Sequence, residues 1–89
     1  MVLTSDLLAR IASLSPGYQV VRYRSRRYGL TRQDFAQGRS LKVYAEELGG
    51  SDVISFNLYH TQGQARLKPC EMPAAKVLAF LQEMGPATE

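Results

Sequence analysis

The sequence predicts an α+β fold. A four-stranded antiparallel sheet carries an N-terminal and a C-terminal helix on one face, in the order α-β-β-β-β-α. Three observations predict it. Apolar residues recur at helical spacing near both ends of the 89-residue chain. Three segments between residues 40 and 68 alternate apolar with polar residues. Short glycine-containing stretches separate those segments, as in a meander.

Residues 5 to 14 read as the first helix. Thr4 or Ser5 can cap it, and Asp6 lies in the first turn, where the helix dipole favours negative charge. Leu7, Leu8, Ile11 and Leu14 form its apolar stripe, and Ser15-Pro16-Gly17 stops it. Residues 18 to 28, YQVVRYRSRRY, read as one strand ended by Gly29. Residues 30 to 38 carry the weakest pattern. Thr31 and Asp34 have the spacing of a helical turn, and Gly38 closes the segment.

Residues 40 to 48 alternate Leu41, Val43 and Ala45 with Lys42, Tyr44 and Glu46. Residues 53 to 60 alternate Ile54, Phe56 and Leu58 with Ser55, Asn57 and Tyr59. Residues 64 to 68 set Ala65 and Leu67 against Gln64, Arg66 and Lys68. Residues 74 to 84 read as the second helix, started by Pro73 and ended by Gly85-Pro86. Val77, Leu78, Leu81 and Met84 make its stripe, with Phe80 at the border. The whole chain, 1–89, reads as a single domain, with loose ends at residues 1 to 3 and 85 to 89.

Composition narrows the function classes. Hydrophobic residues are 45% of the chain and charged residues 21%, which suits a folded domain rather than a disordered segment. No window approaches eighteen apolar residues, so no membrane partner is expected. The N-terminal stretch lacks a basic start and contains Asp6, unlike a secretory signal, and a cytoplasmic location is expected. One cysteine makes no internal disulfide.

Alternation then assigns two sheet faces. Leu41, Val43, Ala45, Ile54, Phe56, Leu58, Ala65 and Leu67 face the helices. In the strand 18–28, Val21 and Tyr23 face inward. Val20, Arg22, Arg24, Arg26 and Tyr28 face outward, because the opposite phase would bury three arginines at several kcal/mol each. The outer face thus holds Arg22, Arg24, Arg26, Lys42, Arg66 and Lys68 against Glu46 alone, with Tyr44 and Tyr59 among them. Residues 18 to 45 contain seven cations and one anion, although the whole chain is only +3. Segregated cations follow a phosphate backbone, and flat rings stack on unpaired bases. A cationic strand face also aids solubility and blunts edge pairing.

Catalytic chemistry finds little material. His60 ends a strand, and Cys70 sits in LKPCEMP, between two prolines. A lone cysteine usually behaves as a small hydrophobe. One Cys and one His cannot furnish a zinc cage. Glu46 and Glu47 are adjacent on a strand, so they point to opposite faces. Gly49-Gly50-Ser51 lacks the lysine of a phosphate loop. No enzyme, cofactor or metal is therefore expected.

The helix-and-sheet order over residues 18 to 84, with its basic aromatic face, resembles the single-stranded nucleic-acid-binding transcriptional coactivators. It is loosely similar to RNA-recognition domains, whose aromatic motif and βαββαβ order it lacks. The resemblance is architectural and carries no residue assignments. The first expectation is a small module binding single-stranded DNA or RNA, or another polyanion, with little sequence preference. Arg22, Arg24, Arg26, Lys42, Arg66 and Lys68 would meet phosphates, Tyr44 and Tyr59 would stack, and Ser55 and Asn57 would hydrogen-bond bases or sugars. The alternative is a protein-interaction module, a homodimer paired through a sheet edge.

Overall fold

The computed structural model describes residues 3–87. Met1, Val2, Thr88 and Glu89, read from the sequence as part of the loose ends, lie outside the described residues. The α+β class holds, but the sheet has six strands rather than four. The order along the chain is α1 (Ser5–Ala12), β1 (Gly17–Tyr23), β2 (Arg26–Phe35), β3 (Ser40–Glu47), β4 (Val53–Thr61), β5 (Gln64–Pro69), α2 (Ala74–Glu83) and β6 (Gly85–Pro86). A short 3-10 turn, Ala36–Gly38, links β2 to β3. In space the strands lie β5-β4-β3-β2-β1-β6, and every neighbouring pair is antiparallel.

The extra strands come from two places. The segment 18–28 is not one strand but most of a hairpin. Tyr23 pairs with Arg26, so Arg24 and Ser25 alone form the turn. Both have positive φ, 51° and 65°, as a type I′ hairpin turn demands. That conformation usually selects Asn-Gly, and Arg-Ser gives no such signal. The segment 30–38, read as a helical turn, instead continues β2 to Phe35. Leu30 is fully buried there, and Thr31, Gln33 and Phe35 turn to the other face. At the opposite end, Gly85 and Pro86 pair with Arg22 and Val21 as β6.

Local chemistry explains the helices. The Thr4 hydroxyl oxygen accepts the Leu7 N–H at 3.4 Å, and Asp6 and Arg10 sit at the dipole-favoured ends. Ile11 and Leu14 from this segment join Val77, Phe80 and Leu81 of α2 in one core against the sheet. Phe80 is not at a border: it is fully buried, edge-on to Tyr23 at 5.1 Å and to Tyr28 at 5.7 Å. Leu3, also read as loose, is buried and donates its N–H to the Ala65 carbonyl at 3.1 Å.

The Arg24-Ser25 turn yields a test. A side chain in the left-handed region costs roughly 1–2 kcal/mol, and glycine's extra chain entropy offsets part of the relief. Ser25→Gly is expected to raise stability by about 0.5–1 kcal/mol in urea denaturation. Lys42→Gly, the same type of change within an extended strand, is expected to lower stability by about 1 kcal/mol. Destabilisation by Ser25→Gly would contradict the turn.

Candidate nucleic-acid interface

Cross-strand register sorts every expected site residue except Arg24 onto a face. Residues directly paired share one side of the sheet. Pairing runs Lys68↔Asn57↔Lys42↔Gln33, Arg66↔Tyr59↔Ser40↔Phe35 and Ser55↔Tyr44↔Thr31↔Tyr18. All three rows lie on the face opposite the helices. Lys42, Tyr44, Asn57, Tyr59, Arg66 and Lys68 are therefore brought together as expected. Ser55 has the same parity but is only 6% exposed. Arg22 reaches this face too, opposite Arg27 of β2, at the far end of the sheet.

Arg24, Arg26 and Tyr28 do not belong to it. The two-residue turn shifts the parity of everything after Tyr23, so Arg26 and Tyr28 share the helix side with Tyr23 and Val21. Arg24 forms a two-pronged bond to Glu83 of α2 at 2.9 and 3.0 Å and lies 5.0 Å from the Tyr23 ring centre. Arg26 donates to Glu47 at 2.6 Å. Tyr28 is buried, and its hydroxyl donates to Asp52 at 2.7 Å. The expectation that these three face outward assumed an unbroken strand.

The structure also adds residues. Tyr18 is 66% exposed and Phe35 49%, more open than Tyr44 at 41% or Tyr59 at 40%. Tyr18 lies across Gly29, where an added Cβ would come within 2.5 Å of its hydroxyl oxygen. Gly29 thus leaves room for a ring on the sheet surface. Four exposed rings now occupy two rows, Tyr44 and Tyr18 in one, Tyr59 and Phe35 in the other. The rows are four residues apart along β3, about 14 Å. Between them runs the polar row Lys68, Asn57, Lys42 and Gln33. Tyr18 was legible from the parity of Val20 and Arg22. Phe35 was not, because the end of β2 carries charge on the helix side.

Charge is arranged differently on the two faces. The open face holds Arg22, Arg27, Lys42, Arg66 and Lys68 against Glu46. Among the described residues, Lys42, Lys68 and Arg66 form no ion pair, and Arg66 donates only to Gln64, at 3.0 Å. On the helix side a cleft of about 740 Å³ is lined by Tyr23, Arg24, Arg26, Tyr28, Glu47, Asp52 and part of α2. There each cation has its acid: Arg24 with Glu83, Arg26 with Glu47, and Lys76 with Asp52 at 2.7 Å. The Lys76 and Tyr28 bonds hold the Asp52 carboxyl below its usual range, and burial together with Asp52 pushes the Tyr28 hydroxyl well above its own. This cleft is a closed network rather than an open charge.

His60 is exposed at the end of β4. Cys70 is a free, half-buried thiol whose sulfur accepts from the Asn57 amide at 3.3 Å. No group of His, Cys, Asp or Glu among the described residues is arranged to hold a metal ion. No helix among them is long and apolar enough to cross a membrane. Compared with protein-family models, with curated proteins and with solved structures, the chain finds no match in any of the three.

The Asp52 network predicts an acid limb. A carboxyl held below its unfolded value contributes stability that is full above about pH 4 and lost as pH falls through the folded value. The Arg24 bond lowers Glu83 too, with the same sign. Urea midpoints measured from pH 6 to pH 2 are expected to fall below about pH 4 in the parent. Asp52→Asn is expected to start lower and to fall less steeply. An unchanged acid limb would remove Asp52 from the account.

Proposed function

We propose that the open sheet face binds single-stranded nucleic acid, with phosphates on its cations and bases on its rings. The protein acts as a binding module without catalysis. Its single free thiol suits a reducing compartment such as the cytoplasm. The observation that carries the reading is the juxtaposition of three cations lacking acid partners, Lys42, Arg66 and Lys68, with four exposed rings on one face. Cations paired within a protein serve its fold, whereas a same-sign cluster raises the local concentration of polyanions. Exposed rings stack on unpaired bases, and a duplex keeps its bases stacked inside.

The homodimer reading keeps one specific support. β6 covers β1 only at Val21 and Arg22, so residues 17–20, paired with β2 on one side, have no strand on their outer side among the described residues. That stretch carries no charge to deter pairing. Light scattering at micromolar concentration gives twice the monomer mass if this edge pairs, and the monomer mass if it does not. Either mass is compatible with binding by the open sheet face.

The main reading is tested by anisotropy titration with short single strands. With three to five phosphates neutralised, log K is expected to fall against log[salt] with a slope of about −2 to −3.5. Lys42→Ala and Lys68→Ala are each expected to reduce that slope by about 0.7. Tyr44→Ala and Tyr59→Ala are expected to weaken binding about tenfold with little change in slope, since stacking is worth about 1–3 kcal/mol per base. Arg24→Ala and Arg26→Ala, on the other face, are expected to change neither. A flat salt dependence, or an Arg24→Ala effect equal to that of Lys42→Ala, would overturn the assignment.

A further inference from the structure

We infer that the Tyr59 position selects guanine over adenine and cytosine, an inference that rests on the nucleic-acid reading above. Tyr59 and Arg66 are direct cross-strand partners on the open face. Their Cβ atoms are thus about 5 Å apart, so a base stacked on the Tyr59 ring has an edge within reach of the guanidinium. Arg66 is committed to no carboxylate. Among the described residues its one side-chain bond, from Nη2 to the Gln64 side-chain oxygen at 3.0 Å, steadies the head and leaves its remaining N–H donors open.

The surroundings of that ring are rich in donors. Lys42 and Lys68 flank Asn57 in the adjacent row, and neither ammonium carries an acceptor. Ser40, Asn57 and Thr61 offer only uncharged oxygens. Among the described strand residues the open face's one carboxylate, Glu46, lies six residues along β3 from Ser40, about 20 Å away. A base edge made of acceptors meets charged donors there, whereas an amino group meets only uncharged oxygens.

Guanine presents O6 and N7, two adjacent acceptors that match the fork of an arginine. Adenine replaces O6 with an amino donor, which opposes the guanidinium and finds no carboxylate. On the edge corresponding to O6 and N7, cytosine likewise offers its N4 amino group. Uracil, with O4 as the single acceptor on that edge, ranks between. Phosphate contacts and the other rings are indifferent to base identity, so the preference belongs to one nucleotide position.

The test is anisotropy with oligo(C) strands of about twelve nucleotides carrying one central guanine, uracil or adenine, within the range of single-strand site sizes. The guanine strand is expected to bind about tenfold tighter than the adenine strand, with uracil intermediate. Arg66→Lys keeps the charge but loses the fork. It is expected to keep the salt slope while the guanine preference falls to within about twofold. Arg66→Gln is expected to lose the preference and part of the slope. Arg66 is exposed, and circular dichroism checks that both variants fold. Equal binding of guanine and adenine strands by the parent, or a full preference surviving in Arg66→Lys, would overturn the inference while leaving the interface standing. Binding to none of the strands would overturn the interface itself, and this inference with it.

Discussion

A two-residue turn at Arg24 and Ser25 governs the arrangement of the rest. It makes two strands of a segment that reads as one, and so widens the sheet toward β1 and β6. It also fixes parity. With Tyr23 paired to Arg26, the residues before the turn keep Arg22 outward, while those after it turn Arg26 and Tyr28 toward α2. Positive φ at two non-glycine residues is unfavourable in isolation. The contacts beside the turn oppose that cost. Tyr23 and Tyr28 meet edge-on at 5.7 Å and both pack on Phe80, whose burial in α2 gives the hairpin a fixed place to dock.

The ion pairs around that dock have a consistent location. Arg24 reaches Glu83 at the end of α2, Lys76 in its first half reaches Asp52, and Arg26 reaches Glu47. Exposed pairs of this type contribute little stability each. The pairs to Glu83 and Lys76 have a geometric value, since they tie two turns of the sheet to one helix, while Arg26 and Glu47 join β2 to β3. On the other side of the same sheet, Lys42, Arg66 and Lys68 repel one another without acids among the described residues to relieve them. Nothing in the packing requires those three to be cationic. The proposed anionic ligand would give those charges a role that the fold does not.

The sequence was readable where its alternation was uninterrupted. Leu41, Val43 and Ala45, then Ile54, Phe56 and Leu58, then Ala65 and Leu67, all lie in the core. Their partners Lys42, Tyr44, Asn57, Tyr59, Arg66 and Lys68 accordingly share the open face. It was unreadable where local signals conflicted with the tertiary outcome. Arg-Ser lacks the glycine or asparagine that marks a tight hairpin, so from the sequence alone avoiding buried arginine demands one outward-facing strand. Arg26 resolves that demand differently, on the helix side but exposed at the rim with Glu47. Past Leu30 the pattern inverts. Arg32 and Asp34 take the helix side, where Arg32 donates to the Leu14 carbonyl at 2.6 Å, and Phe35 turns outward. Periodicity alone cannot show that a charged side chain is serving a helix end.

The corrected strand count changes what the open face can hold. A four-stranded reading places Tyr44 and Tyr59 on neighbouring strands with arginines beside them. The observed register instead gives two rows of rings with a polar row between, and each row of rings skips a strand. A duplex has no unpaired faces to offer such rows. An unpaired strand can bring bases to both while its backbone passes over Lys42 and Lys68, because its torsions are free to follow a twisted surface. Tyr18 can take part only because Gly29 leaves room for its ring. The hairpin turn supplies β1, β1 supplies Tyr18, and the aromatic rows therefore depend on the same backbone reversal that removes Arg24 and Arg26 from the face.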